Sequence, residues 1–328
     1  MSEELSVERS PAERKSPSRL KKVRYRLTKQ GKIAATILLV LAVLIPTSLA
    51  VGLGSSLEQA KAELNQMQQR PPAADGGVWY GQEPAPGPAE EGTKGPERPA
   101  YQDLYPDLYA RPHEWNSVDK KKVCYLTFDD GPSARTPEVL KILEEYGVKA
   151  TFFVVGKDTE QSKQWLRDIA EAGHTIGVHS FTHDYRTIYD SVEAYLDDFA
   201  KEYALIEEVT GVPPQIFRFP GGSINAYNGH IYQEIVSEMT RRGFVYFDWN
   251  RQSGDAVRNP PAAATLAQNA LDKLGTSSRV ILLMHDSRSH ANTVASLPAV
   301  IEGYQNAGYT LEALTPEVRP IVYAYPNP

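Results

Sequence analysis

From Val123 onward, short runs of consecutive apolar residues alternate with segments of helical periodicity. The apolar runs predict strands and read VCYLTF, ATFFVV, TIGVHS, IFRF, FVYF, RVILLM and YTLEAL. The amphipathic segments between them predict helices, the longest over residues 191–210. Continuous apolar runs are typical of parallel strands that are covered on both faces. The alternation therefore predicts an α/β fold, either a (β/α) barrel or a doubly wound sheet.

The first predicted helix, in TPEVLKILEEYG, carries start and stop signals of its own. Thr136 is expected to cap its N-terminus, because a threonine oxygen can accept from the free backbone N–H groups there. Pro137 suits the first helical position, where no N–H donor is needed, and Gly147 suits the left-handed turn that ends a helix.

A long apolar segment lies well before these elements. No charged residue occurs from Ile33 to Leu57, a length sufficient to cross about 30 Å of hydrocarbon as a helix. Residues 1–32 carry a net charge of +6, so the remainder of this −6 chain sums to −12. The positive-inside bias places this tail in the cytoplasm and the later residues outside. We expect an uncleaved anchor, with a signal peptide cut after Ala50, and hence secretion, as the alternative.

These features predict five regions: a cytoplasmic basic tail (1–32), a transmembrane helix (33–54), a short helical stalk and disordered linker (55–120), a globular domain (121–315) and a C-terminal tail (316–328). The linker is rich in Pro, Gly, Ala and Glu, a composition that buries too little apolar surface to fold. Cys124 is the single cysteine of the chain. It cannot form an intramolecular disulfide, and its place in an apolar run predicts a buried thiol.

Polar side chains follow five of the predicted strands. They are Asp129 and Asp130 after the first, His179 and His183 after the third, Arg218 after the fourth, Asp248 and Trp249 after the fifth, and His285 and Asp286 after the sixth. The carboxyl ends of parallel strands lie at one edge of a sheet, where α/β folds build their active sites. We therefore expect these side chains to meet.

The HSFTH segment places two imidazoles four positions apart. If it forms a helical turn, both rings point the same way, and one carboxylate would complete three protein ligands with a position left for water, as in catalytic zinc sites. The adjacent Asp129 and Asp130 could divide the work, one binding the metal and the other acting as a base. The alternative is an incidental histidine pair, with the carboxylates serving as a helix cap and a turn residue before Pro132.

Five motifs, TFDDG, HSFTH, RFPGG, FDWN and LLMH, resemble in sequence order those of the polysaccharide deacetylases, the NodB-like family 4 of carbohydrate esterases. The resemblance covers residues 121–315. It implies a distorted (β/α)7-type barrel of the NodB kind. It also implies that Asp129 is the catalytic base and that Asp130, His179 and His183 hold one divalent metal ion, expected to be Zn²⁺.

The resemblance implies further roles around this centre. Arg218 would orient the base carboxylate through a paired hydrogen bond, and Pro220 would shape the wall of the substrate pocket. The backbone N–H of Gly221 would stabilise the oxyanion, at a position where the family usually has an aromatic residue. Trp249 and Leu282 would line the pocket, with Leu282 against the acetyl methyl group.

His285 of the LLMH motif would be the general acid. The fourth motif is only partly met, because Val245 stands where the family has an acidic residue. By resemblance, Asp248 would be the partner of His285. Asp255 in the SGDA segment is a second candidate for that partner, the alternative being a solvated loop carboxylate.

The set implies a metal-dependent hydrolase that removes N-acetyl groups from an extracellular polysaccharide, with peptidoglycan amino sugars the most accessible to an enzyme anchored in a membrane. The alternatives are an O-acetyl esterase acting on a glycan such as xylan, and a non-catalytic glycan-binding module. A zinc protease is disfavoured because HSFTH lacks the Glu of H-E-x-x-H. The expected partners are the polysaccharide and the membrane, and neither nucleic acid nor another protein is inferred. The motifs do not choose between GlcNAc, MurNAc, chitin and poly-N-acetylglucosamine.

Overall fold

The computed structural model of the chain describes residues 98–116 and 121–323. The predicted cytoplasmic tail, transmembrane helix and stalk lie outside the described residues, as do most of the linker and residues 324–328. Within the described part of the chain, no helix combines the length and the apolar character needed to cross a membrane.

A single parallel sheet organises the described residues. Its strands are β1 (Val123–Asp129), β2 (Thr151–Val155), β3 (Thr175–Ser180), β4 (Ile216–Phe217), β5 (Val245–Tyr246), β6 (Arg251–Gln252), β7 (Arg279–His285) and β8 (Thr310–Glu312). Each of the seven predicted apolar runs contains one strand. The unforeseen strand is β6, whose two residues are polar and therefore leave no apolar signal.

Helices connect the strands. They are α1 (Thr136–Glu145), α2 (Glu160–Glu171), α3 (Tyr185–Ile188), α4 (Val192–Thr210), α5 (Tyr232–Arg241), α6 (Ala263–Ala270) and α7 (Ala291–Asn306), preceded by a 3₁₀ turn at Ala100–Asp103. The six longer helices confirm the predicted ones. The unforeseen α3 is a single turn that begins two residues after His183.

The start of α1 differs from the prediction. Arg135, not Thr136, is its N-cap residue, and α1 begins at Thr136. The Thr136 hydroxyl is used elsewhere, because it donates to Asp286 Oδ2 at 2.5 Å and accepts from Ser133 N at 2.8 Å. Pro137 is the second residue of α1, one position later in the helix than predicted, and Gly147 follows the helix with φ 64°, as predicted.

The strand order is β5-β4-β3-β2-β1-β7-β6. Its two ends, β5 and β6, are consecutive in sequence, and no ladder between them occurs in the described residues. One edge of β1 pairs with β7 along its whole length. Its other edge is shared by β8 near the start and β2 near the end. The α/β prediction is confirmed, in the form of an open parallel half-barrel.

Two apolar cores cover the two faces of this sheet. On β1, the alternate residues Cys124, Leu126 and Phe128 belong to the larger core with the helices, whereas Tyr125 belongs to a smaller core on the opposite face. Asp129 shares the face of Tyr125, since side chains alternate along a strand. The predicted burial of Cys124 is confirmed, as it is fully buried.

Segments on both sides of the predicted 121–315 domain also pack against it. Residues 98–116 belong to the predicted linker, yet Leu108 is buried in the larger core and the Ala110 N–H donates to Arg242 O at 2.9 Å. In the predicted C-terminal tail, Val318 is buried in the smaller core and Ile321 O accepts from the Asp248 N–H at 2.8 Å.

Candidate active site

The predicted polar side chains do meet at the carboxyl edge of the half-barrel. Asp129 is the last residue of β1 and His285 the last residue of β7, and the two are paired in register on adjacent strands. Asp130 follows β1 directly, and His179 lies near the end of β3. The strand ends of the parallel sheet therefore bring together residues more than 150 positions apart.

Asp130, His179 and His183 form a group of potential metal ligands whose ligand atoms lie within 4.8 Å of one another. Asp130 Oδ1 is 3.2 Å from His183 Nε2 and 3.5 Å from His179 Nε2. Three ligands about 2.0–2.1 Å from a tetrahedral zinc ion are separated by about 3.4 Å, so this spacing fits such an ion.

A second observation supports the fit to a cation. Asp130 Oδ1 is buried and has no hydrogen-bond partner among the described residues, and a buried carboxylate oxygen without a partner is costly. Burial raises the Asp130 pKa, but the contact with His183 and the charges of both imidazoles outweigh it and hold the pKa well below its usual range. The carboxylate is thus ionised, the form that binds a metal.

The two histidines have different electrostatic surroundings. Burial lowers the pKa of His179, and its Nδ1 lies 2.8 Å from Arg218 O. If Nδ1 carries the proton, it donates to that carbonyl and leaves Nε2 free as a ligand atom, a common support for metal-binding histidines. Burial also lowers the His183 pKa, but Asp130 outweighs it and the pKa is raised overall.

The HSFTH segment does not form a helical turn, which was the condition under which spacing alone would point both rings the same way. His179 belongs to β3, and His183 has a left-handed backbone with φ 55°. The turn between them wraps around the buried Asp198 carboxylate of α4. This carboxylate accepts four hydrogen bonds, from Ser180 Oγ (2.6 Å), Phe181 N (2.8 Å), Thr182 N (2.9 Å) and Thr182 Oγ1 (2.6 Å). Ser180 Oγ also accepts from the His183 N–H at 2.8 Å, so Asp198 determines the path of this loop.

Sequence reasoning missed Asp198, although a signal was present. The residue lies on the buried face of the amphipathic α4, beside Tyr195 and Phe199. A charged residue on the apolar face of a helix requires partners within the fold, because an unpaired buried charge is costly. That position therefore marks Asp198 as a residue with a specific structural task.

Arg218 is fully buried, and its Nη1 donates to Asp129 Oδ1 at 2.8 Å. The predicted paired hydrogen bond to this carboxylate is wrong. Nη1 also donates to Thr127 Oγ1 at 2.7 Å. Nε donates to Phe247 O at 2.8 Å, and Nη2 donates to Asp248 O at 3.4 Å. Arg218 thus holds the ends of β1 and β5 together while it contacts Asp129 once.

The partner of His285 is Asp255, and the prediction of Asp248 is wrong. His285 Nδ1 lies 2.9 Å from Asp255 Oδ1, and the His285 backbone N–H donates to Asp255 Oδ2 at 2.9 Å. Thr293 Oγ1 donates to the same Oδ2 at 2.8 Å. Burial lowers the His285 pKa, but the hydrogen bond and charge of Asp255 outweigh it and raise the pKa to about 9. His285 is therefore cationic at neutral pH.

Asp248 has a different position in the fold. Its carboxylate accepts from Ser223 N (2.8 Å), Ser223 Oγ (2.5 Å) and Tyr323 N (2.7 Å). Burial raises its pKa. With these three donors occupying it, Asp248 fastens the segment after Gly222 and the C-terminal segment to the end of β5.

Of the four predicted pocket residues, Pro220, Gly221 and Trp249 lie in or beside the turn after β4, and Leu282 does not. Gly221 and Pro220 lie in the turn after β4, where Gly221 has φ 77°, and the Gly221 N–H has no hydrogen-bond partner among the described residues. Trp249 is half-buried against Gly222, where an added Cβ would lie 3.1 Å from its ring. The Leu282 prediction is wrong. Leu282 is fully buried in the larger core, and alternation along β7 places Leu283 on the face of His285.

Asp286 directly supports the turn that carries Asp130. Its backbone N–H donates to Asp129 O at 3.2 Å. A Cβ added to Gly131 would lie 2.2 Å from Asp286 Oδ1, so the carboxylate leaves room there for glycine only. Burial raises the Asp286 pKa to about 7.

Comparisons with known proteins agree with this geometry. Residues 116–240 match the polysaccharide deacetylase family. A peptidoglycan-N-acetylglucosamine deacetylase of Bacillus cereus is 34% identical over 206 residues, covering 62% of this chain and 72% of that protein. The solved catalytic domain of a peptidoglycan N-acetylglucosamine deacetylase from Eubacterium rectale has a TM-score of 0.62 and 34% identity, covering 66% of this chain and 98% of that one.

A second solved structure, a polysaccharide deacetylase from Bacillus cereus, has a TM-score of 0.56 and 33% identity, covering 62% of this chain and 96% of that one. The family match spans β1 to β4 and includes Asp129, Asp130, His179, His183 and Arg218. This chain is therefore a member of the polysaccharide deacetylase family, the family 4 carbohydrate esterases, and an enzyme of that kind.

Proposed function

We propose that this protein is a zinc-dependent hydrolase that removes N-acetyl groups from the amino sugars of peptidoglycan. One observation carries the proposal: Asp129 and the cationic His285 lie side by side at the strand ends, next to a carboxylate and two imidazoles spaced for a metal ion. Amide hydrolysis needs a base for water, an acid for the departing amine and stabilisation of a developing oxyanion.

Asp130, His179 and His183 would hold the ion. When bound, it supplies Lewis acidity, which polarises the acetamide carbonyl and lowers the pKa of water. The Asp129 carboxylate takes a proton from the attacking water, while the single contact from Arg218 keeps one of its oxygens fixed. The Gly221 N–H, which no described residue uses, donates to the developing oxyanion.

His285 then gives its Nε2 proton to the leaving amine. Asp255 holds Nδ1 of the same ring, which orients Nε2 away from Asp255 and keeps the imidazolium form populated. As a general acid, His285 must be protonated before the carbon–nitrogen bond breaks. Its raised pKa meets that requirement at neutral pH.

The substrate assignment is supported by the relatives, since the enzymes from Bacillus cereus and Eubacterium rectale are named for peptidoglycan N-acetylglucosamine. We also propose that the apolar segment 33–54 anchors the enzyme in the cell membrane with the catalytic domain outside. This part of the proposal rests on the hydrophobicity and flanking charges of the sequence.

Acetate release by the purified full-length protein tests the proposal. Peptidoglycan, chitin oligomers and acetylated xylan are offered in parallel, before and after treatment with a chelator and then after addition of zinc. We expect release from peptidoglycan that the chelator abolishes and zinc restores. Release from xylan alone would replace the proposal with an O-acetyl esterase. Release that is insensitive to the chelator would contradict the metal dependence.

A further inference from the structure

A column of aromatic rings leads from the surface beside His183 into the core. Tyr227 stacks on Tyr185 with ring centroids 5.3 Å apart and planes 18° apart, and Tyr185 stacks on Tyr189 at 6.1 Å. Tyr189 continues to Tyr195 at 6.1 Å, which packs on Phe219 at 5.5 Å. The inner rings are buried, so Tyr227 stands at the outer end of a rigid stack.

Tyr185 occupies the space beside Gly221. A Cβ added to Gly221 would lie 3.0 Å from Tyr185 Cε1 and 3.2 Å from its hydroxyl. The ring of Tyr185 also meets the His183 ring edge-on, with centroids 5.2 Å apart. An aromatic wall is therefore present next to the metal centre, although no side chain extends from position 221.

The loop that carries Tyr227 is fixed to the turn at Gly221. The Asn225 side-chain amide donates to Pro220 O and Gly222 O, both at 3.1 Å. Its side-chain oxygen accepts from the Tyr227 N–H at 2.8 Å, and the Asn225 N–H donates to Asn228 Oδ1 at 3.0 Å. The position of Tyr227 relative to the site is thus set by a hydrogen-bond network.

The hydroxyl of Tyr227 differs from those of the other exposed tyrosines. Three tyrosines are exposed in the described residues: Tyr105, Tyr109 and Tyr227. Tyr105 donates its hydroxyl proton to Asp197, and Tyr109 accepts from Arg241. Tyr227 is 46% exposed, and its hydroxyl has no partner among the described residues. Its ring is therefore available to a ligand.

We propose that Tyr227, supported by Tyr185, forms a carbohydrate subsite that binds the apolar face of a pyranose ring in the glycan strand. The bound pyranose would be a neighbour of the sugar whose acetamide enters the metal centre, because the stack of Tyr185 and Tyr227 begins beside His183. The C–H groups on one face of a pyranose are slightly positive and suit the negative face of an aromatic ring. This inference rests on the proposed function, and it explains how a strand longer than one sugar is recognised.

The test compares Tyr227→Leu with Tyr227→Phe in the full-length, zinc-loaded protein. N-acetylglucosamine oligomers of two to six units are the probes, and acetate release is measured. Loss of the aromatic ring in Tyr227→Leu should raise KM for the hexamer roughly three- to tenfold, with kcat changed by less than about twofold. Tyr227→Phe keeps the ring and should match the wild type. Equal KM values for all three proteins, or an equal defect in both variants, would overturn the subsite.

Direct binding separates this inference from the proposed function. The hexamer is titrated calorimetrically into the metal-free wild type and into both variants. If Tyr227→Leu binds the hexamer more weakly than the wild type and Tyr227→Phe does not, the subsite is supported. This holds even if the wild type releases no acetate, because that result would overturn only the deacetylase proposal for this substrate. Binding that is equal in all three proteins, or absent from the wild type, would overturn the subsite. Thermal melting of each variant shows that the fold is retained.

Discussion

Asp129 and His285 are directly paired residues on two adjacent parallel strands. Such strands lie about 4.8 Å apart, so a base and an acid reach a substrate from neighbouring backbones that share hydrogen bonds. Because the β1–β7 register is continuous over seven pairs, their spacing is set by the sheet and not by a loop.

Replacement of Asp129 tests the base directly. Asp129→Asn keeps the size of the side chain and an oxygen that can accept from Arg218, but removes the ability to take a proton. We expect kcat to fall about 10²- to 10⁴-fold, while zinc content, measured by atomic emission, stays at the wild-type value. Retention of more than a tenth of the activity would assign the base role to another residue.

The pairing of His285 with Asp255 predicts the pH dependence of the reaction. The general acid must be protonated, so activity falls as the pH rises through the His285 pKa of about 9. In Asp255→Asn the negative charge is lost, and the pKa should move down towards about 6.5. The alkaline limb of the kcat/KM profile should therefore move to lower pH.

Asp248→Asn is the matched control for that measurement. Asp248 is as buried as Asp255 and also accepts three hydrogen bonds, but it does not contact His285. Both substitutions should lower the melting temperature, because an amide presents N–H groups to donors. Only Asp255→Asn should move the alkaline limb. A shift of equal size in Asp248→Asn would contradict the assignment.

The four hydrogen bonds to Asp198 predict that this residue governs metal affinity from outside the site. In Asp198→Asn an NH₂ group replaces one carboxylate oxygen and can no longer accept hydrogen bonds from residues 180–182. We therefore expect the loop to shift and His183 to lose its position. Residues that support metal ligands in this way contribute about 10- to 100-fold in affinity. We expect a loss of that size in zinc affinity, measured by competition with a chromogenic chelator.

Asp197→Asn provides the comparison for Asp198→Asn. The two aspartates are adjacent on α4, but Asp197 is exposed and contacts Tyr105 instead of the loop. Asp197→Asn should therefore leave zinc affinity unchanged. If both variants lose zinc affinity equally, the cause is the loss of a negative charge from α4 and not the loss of the hydrogen bonds to Asp198.

The close approach of Asp286 to Gly131 predicts a steric effect on stability. Gly131→Ala should lower the free energy of unfolding by about 1–3 kcal/mol, the usual cost of overpacking, as measured by urea denaturation. The double variant Gly131→Ala with Asp286→Ala should recover part of that loss, since the carboxylate is then absent. If the double variant is no more stable than Gly131→Ala, the steric conflict does not come from the Asp286 carboxylate.

The sequence was sufficient to predict which residues gather at the strand ends, because apolar runs locate the strands and the parallel arrangement puts their ends at one edge. It offered both Asp248 and Asp255 as the partner of His285 and favoured the wrong one, because Asp255 follows a short polar strand, β6, that leaves no apolar signal. The error at Leu282 was avoidable, since strand alternation places Leu283 and His285 on one face. The Asp198 signal was also visible, as a carboxylate on the buried side of an amphipathic helix.

The hydrogen bond between Asp248 and Tyr323 connects positions 75 residues apart. A nascent chain that ends at β5 therefore lacks the C-terminal segment that binds Asp248, since domains are synthesised from the N-terminus. The Asp248 carboxylate therefore gains its third hydrogen-bond donor only when residues 318–323 have been made and have packed beside β5.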